Sequence, residues 1–326
     1  MGCDDRPFFS VIIPTRDRSA PLAVALHSVL EQRYRNFEAI VINDGSSEDH
    51  EPHYRELVDA ASGVARMLTL AHTEHGHGPS FARNYGATQA GGDYLCFLDD
   101  DDQWTDTEHL RRTARVIAAS PEPTELILAN QQAFRGGAPV PDVTWIEDLS
   151  ARLGAAPDAA GAYTVTPAEL LGCRAHCHLN TTIASRAFYL DIGGFDEALQ
   201  YEEDLDFFLR AIDRARVIRY LPDIVSRHNI PVPAARASMS TVQSELSKRL
   251  YQLRIFDKAA LFSARPELRR YAMRQRAYTL KHIATEAARV GRFDCAAHYA
   301  REALMTRFTL GWLGATALFT LRACCR

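Results

Sequence analysis

Four consecutive aspartates, Asp99 to Asp102, form the most distinctive chemical pattern in the sequence. They directly follow the apolar run Tyr94–Leu98, where like charges repel and carboxylates lose hydration. A hard divalent cation, Mn²⁺ or Mg²⁺, relieves both costs because it binds carboxylate oxygens and shares them with substrate phosphates. On an extended segment Asp99 and Asp101 point the same way, so they are candidates to hold a metal or a ribose. The alternative is a solvated acidic loop or the start of a helix.

A second acidic group, Glu203-Asp204-Leu205-Asp206, opens a segment with helical periodicity. The helix dipole favours acidic residues in a first turn, which explains their presence without any catalytic role. Alternatively, one of these carboxylates is a general base that accepts the proton of an attacking hydroxyl. Asp204 and Asp206 both fit that role on sequence grounds.

Arg83 is the third candidate, because its predicted helix follows the glycine-rich segment 75–79. Such a helix start suits an anion, and a guanidinium suits a phosphate or a base carbonyl. The same glycines resemble a dinucleotide-binding fingerprint, but Phe81 replaces its third glycine. A Rossmann oxidoreductase is therefore disfavoured.

The segments that must position these residues alternate between strands and helices. Apolar runs predict strands at Phe8–Pro14, Phe37–Asn43, Val64–Ala71, Tyr94–Leu98 and Val217–Leu221. Helical spacing predicts helices at Pro21–Arg33, His53–Ser62, Ser80–Ala90 and Glu203–Arg214. This alternation favours an α/β fold with a mostly parallel central sheet, in which ligands bind beyond the carboxyl ends of the strands. The polar clusters 15–17, 43–46 and 99–102 are expected to meet there.

Charge divides the chain into two regions. The net charge of -4 over 326 residues combines an acidic body with a strongly basic segment at 240–326. The acidic body argues against a nucleic-acid binder. We expect a catalytic domain over residues 1–235 and a basic α-helical extension over 236–326, which contacts a membrane or forms a homo-oligomer.

Cysteine usage and hydropathy bear on the compartment. Seven irregularly spaced cysteines argue for a reducing environment, and the Cys/His cluster at 173–178 lacks the spacing of an ordinary zinc module. The N-terminus lacks the apolar core of a signal peptide, and Leu310–Leu321 is shorter than the about 20 residues of a membrane span. These features favour the cytoplasm, with peripheral contact at the inner face of the membrane as an open alternative.

Seven short segments, taken together and in order, resemble the inverting GT-A glycosyltransferases of family 2 over residues 8–230. They are Val11–Thr15, Ser28–Gln32, Val41–Ser47, Ala82–Ala87, Phe97–Asp102, Gly193–Asp196 and Glu203-Asp204. The resemblance implies a Rossmann-like GT-A catalytic domain that moves a sugar from a nucleotide-sugar donor, with UDP the commonest nucleotide, to a glycan or lipid-linked hydroxyl acceptor.

The resemblance also implies roles for individual residues. Donor contacts fall on Pro14, Thr15, Arg16, Asp44, Gly45, Arg83, Asp99 and Asp100. Asp101, Asp99 and His228 are expected to bind the metal, Mn²⁺ or Mg²⁺. Asp204 is expected to be the catalytic base, with Glu203 beside it. The acceptor is expected near Trp104, Trp145, His178 and Asn180. Asn43 departs from the family pattern, since many members carry an aspartate there.

Two other functions remain as alternatives. A non-catalytic relative would bind a nucleotide sugar for regulation or scaffolding, but its carboxylates would have no need to be intact. A nucleotidyltransferase would require a glycine-rich phosphate loop after the first strand, where the chain has Pro14-Thr15-Arg16-Asp17. The segment after residue 235 lacks the successive membrane helices of processive synthases, which favours single sugar additions.

Overall fold

The computed structural model describes residues 6–141, 146, 149–230 and 243–325. Trp145 lies outside the described residues. The chain separates into two compact units, the first formed by residues up to 198 together with 203–230. The second unit contains residues 199–202 and 243–325. The domain boundary expected at residue 235 falls in the undescribed stretch, so it stays a prediction.

The first half of the first unit is a parallel sheet with three helices. Its strands run in the order β3-β2-β1-β4, and apolar runs bury β1, β2 and β4 on both faces. The register pairs Thr15 with Asn43 and Ile12 with Phe97, so the polar residues that follow all three strands lie at one edge. The elements are β1 (Phe9–Thr15), α1 (Ser19–Leu30), β2 (Phe37–Asn43), α2 (Glu51–Ala60), β3 (Ala65–Thr69), α3 (Pro79–Gln89) and β4 (Tyr94–Phe97).

The second half of the first unit extends the same sheet with mixed strand directions. The order continues β4-β9-β6-β10-β5, with β9 antiparallel to both neighbours and β6 parallel to β10. The mostly parallel sheet that the sequence predicts is therefore limited to the N-terminal half and the β6–β10 pair. The elements are β5 (Gln103–Trp104), α4 (His109–Ala119), β6 (Leu126–Arg135), β7 (Ala138–Pro139), α5 (Leu149–Arg152), β8 (Tyr163–Thr164), α6 (Pro167–Leu171), a 3₁₀ turn (Leu179–Thr181), β9 (Thr182–Ser185), α7 (Arg186–Asp191), α8 (Glu203–Arg214) and β10 (Ile218–Asn229).

The pairing of β10 with β5 positions one side chain of the site. The predicted last strand, Val217–Leu221, is in fact a twelve-residue strand that continues to Asn229. Its antiparallel register sets Arg227 opposite Gln103, the residue that follows the aspartate run. This pairing places His228 next to Asp102, the last residue of the aspartate run.

The second unit is helical. Its helices are α9 (Glu245–Phe262), α10 (Pro266–Arg289), α11 (Phe293–Thr306) and α12 (Leu310–Cys324). Small and aliphatic side chains, such as Ala284 on α10 and Ala300 on α11, are fully buried and allow neighbouring helices to pack closely. Helix α10 ends at Arg289 and α11 begins at Phe293, so Gly291 lies in the short connection between them. Among the described residues, every helix is too short or too polar to cross a bilayer.

Candidate active site

The aspartate run forms a tight turn. The amide of Asp102 donates to the carbonyl of Asp99 at 3.1 Å, because the chain must reverse between β4 and β5. The prediction that Asp99 and Asp101 lie on an extended segment is therefore wrong. The four carboxylates instead have different directions and different partners.

Asp102 is the buried residue that fixes the aspartate turn through hydrogen bonds. Only 1% of Asp102 is exposed, and its carboxylate accepts hydrogen bonds from Asn180 Nδ2, His228 Nδ1 (2.8 Å) and the Asn229 amide (2.7 Å). Asn180 also accepts the amide of Asp99 at 3.0 Å. A buried carboxylate with several donors is strongly fixed. Asp102 was not among the predicted site residues, and four identical residues in a row give no sequence signal that selects it.

Asp100 and Asp101 share a partner that the sequence did not identify. Arg18, just before α1, donates to Asp100 at 3.1 Å and to Asp101 at 2.8 Å. Asp100 also accepts the hydroxyl of Thr15 at 2.7 Å. Thr15 and Asp100, both predicted donor contacts, are thus buried and bonded to each other. They support the turn from the end of β1.

The turn carries more negative charge than its cations neutralise. Burial, followed by the charges of Asp102, Asp99 and Asp100, raises the pKa of Asp101 to about 7. Carboxylate oxygens of Asp99, Asp101 and Asp102 lie within 4.8 Å of one another. Such a group of oxygens suits a hard divalent cation, whose charge offsets the repulsion. The donor set therefore fits the Mn²⁺ or Mg²⁺ expected from the sequence.

His228 is oriented toward metal binding by its neighbour. Asp102, His178 and His228 form a second group of ligand atoms within 4.8 Å. Because His228 Nδ1 donates to Asp102, Nε2 carries the lone pair of the neutral ring, an arrangement common behind metal-bound histidines. His178 differs, since its Nδ1 accepts the amide of Asn180 at 3.3 Å and the proton therefore resides on Nε2. The sequence placed His178 with the acceptor, whereas its Nε2 lies among the carboxylates.

Asp204 lies at the start of α8 between two histidines. Its Oδ2 accepts His176 Nε2 at 3.0 Å and is 4.0 Å from His178 Nε2. Burial opposes ionisation, but His176 and then His178 hold the pKa of Asp204 well below its usual range. Asp206, the alternative base, is 2% exposed and accepts Arg210 Nε at 2.8 Å. Asp204 is therefore hydrogen-bonded to His176, whereas Asp206 is hydrogen-bonded to Arg210.

Arg83 connects the two acidic groups. Its guanidinium donates to Asp99 at 2.6 Å and to Glu203 at 2.9 Å, and the residue is only 3% exposed. Burial opposes the charge, but Asp99 and Glu203 raise the pKa of Arg83 further. The guanidinium predicted to hold a donor group thus joins the aspartate turn to the start of α8.

Asp44, at the end of β2, is enclosed by the glycine-rich loop. It accepts the amides of His77 and Gly78, each at 2.9 Å, and His77 Nδ1 at 2.8 Å. Arg16 fixes the same loop by donating to the carbonyls of residues 73 and 74. Gly76 has φ +71°, and a Cβ there would overlap the Arg16 guanidinium. Two predicted donor residues are thus brought together by a loop that requires glycine.

The remaining predicted residues have different surroundings. Pro14 pairs with Ile42 inside the sheet, and the carbonyl of Gly45 accepts His72 Nδ1 at 2.7 Å. Trp104 is 4% exposed, and its indole donates to the carbonyl of Asn180 at 2.9 Å. Trp104 and Asn180 therefore belong to the interior that supports the aspartate turn, and we exclude both from the acceptor surface. His176 takes a place in the site that its sequence cluster did not predict.

Solved structures share this fold. The S. aureus TarS fragment 1–349 in complex with UDP-GlcNAc aligns with a TM-score of 0.64 at 20% identity, over 90% of this chain and 81% of its own. The mannosyltransferase PcManGT from Pyrobaculum calidifontis, in complex with GDP-Man and Mn²⁺, aligns with a TM-score of 0.59 at 15% identity, over 98% and 85%. At these identities the likeness establishes the fold, which is GT-A.

A match to a sequence family bears on the classification. A model of glycosyl transferase family 2 matches residues 10–124, which include Asp44, Arg83 and the aspartate turn. The similarity to glycosyltransferase family 2 thus covers residues 10–124, the segment that holds these site residues. A relative from Mycobacterium bovis, named as a PGL/p-HBAD biosynthesis glycosyltransferase, is 28% identical over 75% of this chain and 84% of its own. Four further curated glycosyltransferases are 26–42% identical, but the chain spans only 13–64% of their length.

Proposed function

We propose that this protein is a metal-dependent, inverting family 2 glycosyltransferase that moves a sugar from a UDP-sugar to a hydroxyl of a glycan or lipid-linked acceptor. One observation carries the proposal. His178 Nε2 lies 4.0 Å from Asp99 in the candidate metal site and 4.0 Å from the candidate base Asp204. The candidate metal site and the candidate base therefore lie within reach of one imidazole nitrogen, close enough for a departing diphosphate and an attacking hydroxyl to meet in one site.

Asp204 acts as the general base in this proposal. It is ionised, so it accepts the proton of the acceptor hydroxyl as the oxygen attacks the anomeric carbon. His176 and His178 orient the carboxylate from two directions. Attack from the face opposite the departing diphosphate inverts the anomeric centre in a single displacement.

In this proposal, the aspartate turn and the residues that position it bind the diphosphate of the nucleotide-sugar donor. Asp99, Asp101 and the Nε2 of His228 would hold Mn²⁺ or Mg²⁺, while Asp102 orients His228. The cation, when bound, stabilises the negative charge of the departing diphosphate. Arg83 positions Asp99 for this role and is itself held by Glu203.

The nucleotide is proposed to bind between Asp44 and the aspartate turn. The TarS complex with UDP-GlcNAc supports UDP, whereas the PcManGT complex with GDP-Man and Mn²⁺ supports the metal and offers GDP as the second nucleotide to test. The mycobacterial relative named for PGL/p-HBAD biosynthesis supports a lipid-linked acceptor. Cytoplasmic localisation belongs to the same proposal, since nucleotide sugars are made there.

The base assignment is tested with Asp204→Asn. The amide cannot accept the proton but keeps the shape of the side chain, so we expect transfer to fall by 10²–10⁴-fold. Binding of the nucleoside diphosphate with Mn²⁺, measured by calorimetry, should be retained. Glu197→Gln is the control, because among the described residues its carboxylate is hydrogen-bonded to Asn84 alone, and transfer should be preserved. Undiminished transfer in the Asp204→Asn variant would remove Asp204 from the mechanism.

A further inference from the structure

An open surface depression in the second unit is bordered by four arginines. It has a volume of about 400 Å³ and lies between the first turns of α10 and the end of α11. Its lining, which we call the arginine pocket, consists of Arg269, Arg270, Met273, Arg274, Thr306 and Arg307. All four guanidinium groups belong to exposed residues. The pocket is outside the first unit and is not part of the site described above.

Among the described residues, the charge of the arginine pocket is not neutralised by ion pairs. Across the described residues of the second unit, no carboxylate forms an ion pair with any of the four arginines. Arg269 donates only to the carbonyl of Ser263, at 3.1 Å. By contrast, Arg276 on the same helix is tied to Asp257 at 2.6 Å. Four clustered guanidinium groups without counterions suit a phosphate, which each can bind through two parallel hydrogen bonds.

Helix α12 presents an apolar face to solvent. Its exposed residues recur at the spacing of a single helical face, and we call this set the apolar stripe: Leu310, Leu313, Gly314, Ala317, Leu318 and Leu321. The opposite side of the helix packs on α11, where Trp312 and Thr316 both donate to the carbonyl of Ala300. Leu310 is 77% exposed, and Leu321 is 66% exposed. A contiguous exposed apolar face of this kind marks an interaction surface.

The pocket and the stripe are continuous along the chain. Thr306 and Arg307 line the pocket, exposed Phe308 follows, and Leu310 begins the stripe. A cluster of guanidinium groups that is followed along the chain by an apolar helical face matches a lipid layer, which presents phosphates above hydrocarbon. Helix α12 has only 15 residues, so it suits a position within the plane of the interface.

We propose that the second unit docks on an anionic phospholipid membrane, with a lipid phosphate in the arginine pocket and the apolar stripe in the acyl boundary. Charge favours lipid over a second copy of the chain, because pairing two such basic units would bring uncompensated arginines together. The inference concerns the second unit alone and does not depend on the proposed transfer reaction.

The test is vesicle flotation of the full-length protein. Phosphatidylcholine vesicles with and without phosphatidylglycerol are compared at low and high salt, and we expect binding only to the anionic vesicles at low salt. Arg270→Ala with Arg274→Ala should reduce the partition coefficient about 30-fold, from the usual contribution of a basic residue at an anionic surface. Arg292→Ala with Arg301→Ala is the matched control. It removes the same charge from exposed positions outside the pocket and should retain most of the binding.

A second variant pair tests the stripe. Leu313→Ser with Leu318→Ser should weaken binding at least tenfold through lost apolar burial, while circular dichroism and the melting temperature confirm that the unit is folded. Equal binding to neutral vesicles, or equal losses in the pocket and control variants, would overturn the proposal. So would pocket-dependent binding of inorganic pyrophosphate without vesicle binding, which would assign a soluble anion. Stripe-dependent dimerisation without vesicle binding would assign an interface between copies.

Discussion

His109 is a buried histidine whose protonation destabilises the first unit. It is 1% exposed, packs edge-on against Trp104 at 5.0 Å, and neither ring nitrogen has a hydrogen-bond partner among the described residues. Burial lowers the pKa of His109 from 6.5 to about 4. The unfolded chain therefore takes up a proton more readily than the folded one between these pH values. The part of the unfolding free energy that depends on His109 is fully present above pH 6.5 and is lost as the pH falls toward 4.

The magnitude follows from the two pKa values. One pKa unit corresponds to about 1.4 kcal/mol, so His109 removes about 2 kcal/mol of unfolding free energy at pH 5 and about 3 kcal/mol at pH 4. His109→Phe abolishes this component and also removes two unpaired polar atoms from the interior. We expect the loss of unfolding free energy between pH 7.5 and 5 to be about 2 kcal/mol smaller in the variant than in the wild type.

The assay is urea denaturation at a series of pH values, followed by far-ultraviolet circular dichroism. His282→Gln is the control, because that side chain is exposed on α10 and the wild-type pH dependence should persist. The comparison uses the pH dependence within each variant, so a constant packing penalty from the larger phenyl ring cancels. Identical pH dependence in the wild type and His109→Phe would refute the reasoning.

Two further substitutions test the supports of the site. Arg83→Met leaves Asp99 and Glu203 without their shared cation, so we expect a loss of about 3–5 kcal/mol in unfolding free energy, measured by urea denaturation; a loss under about 1 kcal/mol would show that the bridge is not structural. Gly76→Ala forces a Cβ against the Arg16 guanidinium at a positive φ, so nucleotide affinity measured by calorimetry should fall at least several-fold. Unchanged affinity in that variant would mean that the loop around Asp44 is not part of the donor site.

Local sequence patterns predicted the parallel half of the sheet because those strands are buried on both faces. β2 was predicted residue for residue as Phe37–Asn43, and α8 as Glu203–Arg214. β6 was missed because its apolar start leads into Asn130 and Gln131, polar residues that are nevertheless buried. Asn130 satisfies this burial through the Ile146 amide and the Tyr220 hydroxyl, contacts that no local pattern reveals.

The sequence predicted which residues belong to the candidate site but not which of them contact one another. The acidic residues and Arg83 were identified by type and position, whereas their partners come from distant segments. Arg18 is 82 residues from Asp100, and His228 is 126 residues from Asp102. Those contacts depend on sheet order and on the β5–β10 register, which periodicity does not determine. The distinct roles of four adjacent aspartates likewise depend on the turn they form.

The most direct test of the account is thermal stabilisation of the protein by nucleoside diphosphates, each with and without Mn²⁺. A ligand present at about 100 times its dissociation constant adds about 2.7 kcal/mol to the stability of the folded state, which gives a clear shift in melting temperature. We predict a metal-dependent shift for one nucleotide, with UDP the first to test, and loss of that shift in Asp101→Asn. No shift with any nucleoside diphosphate, on folded protein, would contradict a donor site at the aspartate turn and with it the proposed transferase activity.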